Sequence, residues 1–323
     1  MTRPAVTRST IEGFNSFSIQ TGVMEVSIIP ELGGKINSLR DSRTGREWLW
    51  RHPRFVYKRV PHGSSYTAQS DTGGWDECFP SVAECEYPSA PWQGAAIQDH
   101  GELWSQTAQF EMNEQADKIT LLNRWGGIAL PYTFTRNITI TENSARLHVE
   151  YEVENKSDQP INYVWCIHPL LAIEPGMELR LPPSVRFNVG GSIPQNLISP
   201  EQNFQYPFAA SGLNFPVLPE SSAGRAIKIW SDPLPEGEGW ASLRAQDGEL
   251  QMRWDVALLP QVAAWMNFGA WAADGGTPYF NLGLEPCIGA QDSLNDAVNQ
   301  YNLFATVLPH GLKQWWLEIE LTA

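Results

Sequence analysis

Apolar and polar residues alternate with period two along much of this chain. Leu147, Val149, Tyr151 and Val153 alternate with His148, Glu150 and Glu152. Leu250, Met252, Trp254, Val256 and Leu258 do the same against Gln251, Arg253 and Asp255, and Leu317, Ile319 and Leu321 against Glu318 and Glu320. Successive side chains of a strand point to opposite faces, so each run predicts a half-buried strand. Ile138 and Ile140 precede Glu142-Asn143-Ser144, and Leu147 opens the next run, which predicts a hairpin. Met24, Val26 and Ile28 form another strand, broken by Pro30 and Gly33-Gly34. Helical periodicity is weak. Its best instance is Asp292 to Tyr301, with Asp292 or Ser293 as N-cap. The segment 182–219 is rich in loop residues and reads as excursions between strands. No repeat or linker interrupts the pattern. The expected fold is all-β: one domain over residues 1–323, two large antiparallel sheets packed face to face, and few short helices.

Composition narrows the partners. The formal net charge is −14, which opposes nonspecific binding to nucleic acid or anionic membrane. No apolar run approaches the ~20 residues that span a bilayer. The basic N-terminus, Met1 to Arg8, leads into Ser9-Thr10-Ile11-Glu12-Gly13 and not into an apolar stretch, so no secretory signal is expected. Cys78, Cys85, Cys166 and Cys287 form no CxxC pair. A disulfide framework or zinc ribbon has no basis in that spacing. A cytoplasmic, reduced protein with free cysteines buried as small apolar residues is the expectation.

The chemistry concentrates in four segments. Asp71-Thr72-Gly73-Gly74-Trp75-Asp76-Glu77-Cys78-Phe79-Pro80 and Asp99-His100-Gly101-Glu102-Leu103-Trp104 set glycines, acids and a histidine beside aromatics. Cys166-Ile167-His168-Pro169 and Gly283-Leu284-Glu285-Pro286 follow. Glycine permits close backbone approach, aromatics give flat apolar walls, and acids and histidine move protons. This reads as the wall of a polar small-molecule pocket of the kind that takes a sugar. Of the six histidines, His148 lies on the polar phase of its strand, and His52, His62 and His310 sit in turn-like contexts at an expected surface. His100 and His168 differ. His168 ends the apolar run Tyr163 to Ile167, where an isolated histidine is more often structural, and where a pocket is the other way to satisfy it. Glu285 sits inside an apolar segment, which is costly unless the carboxylate is paired or at a pocket edge; a strand-end glutamate reaching water is the competing reading. Among Trp75, Trp92, Trp104, Trp165, Trp265 and Trp271, one or two could stack on a sugar face, and Trp75 and Trp104 lie within the chemical segments.

These segments, in their order, resemble the galactose-mutarotase-like superfamily, the aldose 1-epimerases. Glu31 to Leu39, followed by Asp41 and Thr44-Gly45-Arg46-Glu47-Trp48-Leu49, is similar to that family's first hairpin. Gly73-Gly74 through Pro80, His100-Gly101, His168-Pro169-Leu170, Trp265-Met266-Asn267 and Glu285-Pro286 then follow in the family's order, covering roughly residue 20 to the end. The resemblance implies a β-supersandwich with its active site in a cleft on one sheet. It also implies interconversion of sugar anomers without a cofactor or metal. By position, His168 matches the histidine that protonates the ring oxygen, and Glu285 the carboxylate that takes the anomeric hydroxyl proton. His100 matches a second pocket histidine that binds and polarises substrate. A carboxylate of ordinary pKa ~4.3 and an imidazole near ~6.5 suit those tasks at neutral pH.

The chain also departs from the resemblance. The phosphate-sugar branch carries arginine just before the paired glycines and shortly after His-Gly; here those places hold Asp71-Thr72 and Glu102-Leu103-Trp104. Arginine is the usual bidentate phosphate partner and carboxylates repel phosphate, so a free, non-phosphorylated sugar is expected. The Asn-Arg pair of the galactose branch is missing upstream of His100. Asp76 and Glu77 are expected to bind hydroxyls, and Glu102 is either a further pocket group or a salt-bridge partner. Three other readings compete. One is a non-catalytic carbohydrate-binding sandwich. Another is a glycosidase or lyase pairing Glu285 with Asp76 or Glu102. The last is a metal site of His100, His168 and Glu285, which the wide spacing and the lack of H-x-H or H-x-x-x-H argue against.

Overall fold

The computed structural model describes residues 4–323 except 196, 199–202, 208, 211, 212, 215 and 290. Two antiparallel sheets dominate the described residues. The larger has eleven strands, in spatial order Ala5–Ile11, Phe14–Gln20, Met24–Ile29, Lys35–Asp41, Gly74–Cys78, Trp165–Ala172, Phe280–Ile288, Gln261–Phe268, Arg225–Ser231, Arg186–Ile193 and Phe204–Gln205. The smaller has eight: Glu178–Arg180, Trp240–Ala245, Gly248–Trp254, Leu312–Thr322, Arg146–Asn155, Tyr132–Thr141, Lys118–Gly126 and Gln109–Glu114. The all-β sandwich expected from periodicity is the architecture observed.

The alternating runs do what their pattern requires. Ile138 faces Val149 and Ile140 faces Leu147 across the predicted hairpin. Leu147, Val149, Tyr151 and Val153 are fully buried, and their polar neighbours are not. Both inner faces meet in one apolar cluster, with Trp165 of the larger sheet 4.7 Å from Tyr151 and 5.0 Å from Trp315 of the smaller, ring centre to ring centre. Ser293 caps the short helix predicted at 292–301; its hydroxyl accepts from the Asp296 N–H.

Three expectations change. The run to Leu258 ends as a strand at Trp254, because the Leu258 N–H turns back to the Asp255 carbonyl. The segment 182–219 contains a full strand, Arg186–Ile193, paired with Arg225–Ser231. His52 is buried, not exposed. Its Nδ1 accepts from the Arg54 and Phe55 N–H groups, so Nε2 carries the proton and donates to the Tyr279 hydroxyl at 2.9 Å. Burial, with the Arg54 charge nearby, pushes its pKa down to about 4 and keeps it neutral.

Candidate functional site

The strand order of the larger sheet builds the site. Gly74–Cys78, Trp165–Ala172 and Phe280–Ile288 are far apart in sequence and adjacent in space. Asp76 pairs with His168, and Cys166 with both Cys78 and Cys287. Cys166↔Cys287 and Leu170↔Gly283 bracket His168 opposite Glu285. Period two then separates the residues cleanly. Trp75, Ile167 and Leu284 go to the inter-sheet core, and Asp76, His168 and Glu285 to the other face.

On that other face lies a cavity of about 280 Å³. His168 and Leu170 line its floor, with Lys228, Trp265 and Asn281 from neighbouring strands. Loops close the sides with Asp71, Val82, His100, Trp271, Tyr279 and Asp292. Trp271 stands edge-on to both Trp265 and Tyr279, at 5.9 and 5.5 Å, making an aromatic wall.

The polar groups form two carboxylate–imidazole pairs. His168 Nδ1 lies 2.8 Å from Glu285 Oε1. Burial alone would raise the Glu285 pKa, but Lys228 and His168 override it and hold it down at about 2. An ionised carboxylate only accepts, so His168 Nδ1 carries the proton, and Nε2 is the atom left to the cavity. Glu285 Oε2 receives Lys228 Nζ at 2.5 Å, and Lys228 also reaches Asp292 at 3.3 Å. Gly283 makes room for this: a Cβ there would stand 2.8 Å from Glu285 Oε1. The second pair is His100 Nδ1 on Asp99 Oδ1 at 2.7 Å. Against the desolvation of its burial, Asp99, with Asp71 and Asp292 nearby, raises the His100 pKa. Its ring stacks on Tyr66 at 4.2 Å and meets His168 edge-on at 4.9 Å. His100 has φ +60°, a left-handed conformation uncommon for a residue with a side chain.

The structure therefore brings His100, His168 and Glu285 together, with one qualification. Glu285 is wholly buried behind His168 and Lys228 and is not among the cavity-lining residues. Asp76 shares the cavity's face but is covered: Lys35 Nζ and the Tyr66 hydroxyl bond its Oδ2. Glu77 and Trp75 point the opposite way, into the core, as neighbours of Asp76 on a strand must. Glu102 is a structural clamp. Its carboxylate accepts from the Ile128 and Ala129 N–H groups and the Tyr132 hydroxyl, each at 2.8 Å. Trp104 lies behind Tyr66, its indole donating to the Asp99 carbonyl at 2.8 Å, so it holds the His100 loop and lines no part of the cavity. The paired glycines serve the chain's approach to itself: a Cβ on Gly73 would stand 2.1 Å from the Trp50 carbonyl oxygen.

Sequence reasoning missed Lys228, Asp292 and Tyr279. Lys228 carried the same signal as Glu285, a lone charge in an apolar run, Ala226-Ile227-Lys228-Ile229-Trp230. Asp71 opened the first chemical segment read as pocket wall, but was given no role of its own beyond occupying an arginine's place. Burial raises its pKa against the pull of His168, Lys35 and His100.

No known protein-family profile matches the chain, and no curated protein matches it. Solved structures match over nearly its whole length. A galactose mutarotase-like protein from Clostridium acetobutylicum has TM-score 0.70 and 12% identity, covering 99% of this chain and 98% of its own. A provisionally assigned aldose 1-epimerase from Klebsiella pneumoniae has TM-score 0.70 and 14% identity, over 96% and 80%. A galactose mutarotase related enzyme from Lactobacillus acidophilus has TM-score 0.64 and 16% identity, over 95% and 97%. The chain has the galactose mutarotase-like fold expected from its ordered motifs. No helix among the described residues is long and apolar enough to cross a membrane.

Proposed function

We propose that this protein is a mutarotase, interconverting the α and β anomers of a free, non-phosphorylated aldose by acid–base ring opening. The observation that carries the reading is the pair of carboxylate-held imidazoles at an aromatic-walled cavity: His168 on Glu285 and His100 on Asp99. The fold it shares with mutarotase-like proteins is consistent with it.

Opening a cyclic hemiacetal removes a proton from O1 and adds one to O5. In this reading His168 Nε2 takes the O1 proton, and the Glu285 carboxylate behind Nδ1 stabilises the imidazolium that forms. His100, its pKa raised by Asp99, gives a proton from Nε2 to O5 as the C1–O5 bond breaks. Rotation about C1–C2 and reclosure with the proton transfers reversed yields the other anomer. The resemblance had assigned the O1 proton to Glu285 and the O5 proton to His168. The burial of Glu285 favours its acting through His168. In this reading Asp71 and Asn281, which line the cavity, bind hydroxyls, and Trp265 or Trp271 meets an apolar sugar face. The cavity's lysine is already paired with Glu285 and Asp292, and no arginine among the described residues lines it, which favours a neutral sugar over a phosphate ester.

The test is anomer exchange measured by NMR over a panel of free aldoses. Acceleration for at least one, lost in both His168→Ala and His100→Ala, is the expected result. A folded protein that binds an aldose without speeding its exchange refutes the enzyme and leaves a sugar-binding sandwich.

A further inference from the structure

Cys78 has no part in that acid–base scheme, yet it sits beneath it. Its Sγ and one ring nitrogen each of His100 and His168 all lie within 4.8 Å of one another. The three come from different places: the end of the Gly74–Cys78 strand, a side loop, and the Trp165–Ala172 strand. We infer that Cys78, His100 and His168 form a thiolate–bis-imidazole site for a borderline divalent cation, Zn²⁺ foremost.

Three features support this. The donor set of one sulfur and two imidazole nitrogens suits zinc and excludes the hard cations, which want oxygen. Each histidine has its Nδ1 held by a carboxylate, at 2.8 Å to Glu285 and 2.7 Å to Asp99. That outer arrangement commonly orients and enriches metal-binding histidines, and it presents Nε2 of each. Cys78 is fully buried while both histidines line the cavity, so a cation held by all three keeps its remaining coordination toward the cavity. Tetrahedral Zn–S and Zn–N bonds of ~2.3 and ~2.0 Å place ligand atoms roughly 3.5 Å apart. The donors therefore have at most about 1.3 Å to close on binding.

The site uses the Nε2 atoms that the proposed mutarotation needs but does not depend on that reaction. Zinc and catalysis exclude each other: the loaded protein has no free imidazole to move a proton. Binding is read without any sugar. Co²⁺ added to the metal-free protein should give a thiolate-to-cobalt charge-transfer band and the intense visible bands of a four-coordinate site, both bleached by Zn²⁺. Cys78→Ser should abolish the charge-transfer band, while Cys287→Ser, a buried cysteine two strands away, should keep it. Asp99→Asn, outside the ligand set, should weaken Co²⁺ binding about 10- to 100-fold. If Cys78→Ser does not fold, His100→Ala takes its place and should remove the four-coordinate visible spectrum. No charge-transfer band in the wild type, or a band that survives Cys78→Ser, overturns the site whatever the protein does to sugars. Restored exchange on chelation of a zinc-inhibited wild type would further support it.

Discussion

Glu77 and Glu285 are both wholly buried on neighbouring parts of one sheet, and each has one cation beside it. Arg136 Nη1 lies 3.0 Å from Glu77 Oε1, and Lys228 Nζ 2.5 Å from Glu285 Oε2. They nonetheless sit at opposite ends of the carboxylate range. Glu77 is pushed up to about 7 by burial, which Arg136 and Tyr151 only partly offset. Glu285 is held down at about 2. The distribution of partners accounts for the difference. Both bonds to Glu77 fall on Oε1, leaving Oε2 without a partner. Glu285 has a donor on each oxygen. Depth of burial alone does not set the charge of these two acids; the partners of each carboxylate do, and Asp76 beside Glu77 pushes that acid further up. Glu77 faces the sealed core and Glu285 backs a cavity, so only the second has a charge that catalysis can use.

The largest expected effect would break the catalytic half of this contrast. His168→Ala should lower exchange by about 10²–10⁴-fold. Glu285→Gln, which can turn the imidazole to the wrong tautomer, should reach a comparable loss of up to about 10⁴-fold with the protein still folded. Glu77→Gln should leave exchange unchanged, and NMR exchange rates for the three variants decide whether the two glutamates differ in function. Next comes stability. Glu77→Ala leaves the buried Arg136 without its counter-charge and should cost about 3–5 kcal/mol in denaturant melts. Replacing both by packing residues, Glu77→Leu with Arg136→Met, should recover most of that.

A pH series sharpens the comparison further. The Glu285 pKa is depressed, so its contribution to stability is full above about 4.5 and is lost as pH falls through about 2. The Glu77 pKa is raised, so its contribution is full below about 4.5 and is lost as pH rises through about 7. Wild type should therefore lose on the order of a few kcal/mol relative to Glu77→Gln between those pH values, seen as a fall of the wild-type Tm relative to that of the variant. The smallest effect tests the cavity wall. Trp265→Ala should raise KM several-fold with little change in kcat, as expected for about 1 kcal/mol of lost aromatic contact.

Much of this was legible in the chain. His168 and Glu285 stood out because a polar group inside an apolar run must have a partner, and each is the other's. His100 stood out among acids and glycines, and its neighbour Asp99 is its partner. The same logic applied to Lys228 and was not used. Glu77 and Trp75 were placed in the pocket by proximity to Asp76, although alternation along a strand sends neighbours to opposite faces. Glu102 and Trp104 were assigned by the company they keep in sequence. A loop lacks a period, so no pattern tells which of its side chains turn inward to clamp the backbone. His52 was misplaced for the same reason.

By itself the sequence determined the layers. Period-two runs, hairpin turns and capped ends depend on contacts between near neighbours, and alternation dictates which side chains meet in the core. Only the tertiary structure decided the site. Strand order set Gly74–Cys78 beside Trp165–Ala172 and that strand beside Phe280–Ile288, which put a carboxylate behind an imidazole 117 residues away and a thiol beneath both histidines. Lateral order in a sheet follows from how whole faces pack, and no local stretch of the chain encodes it.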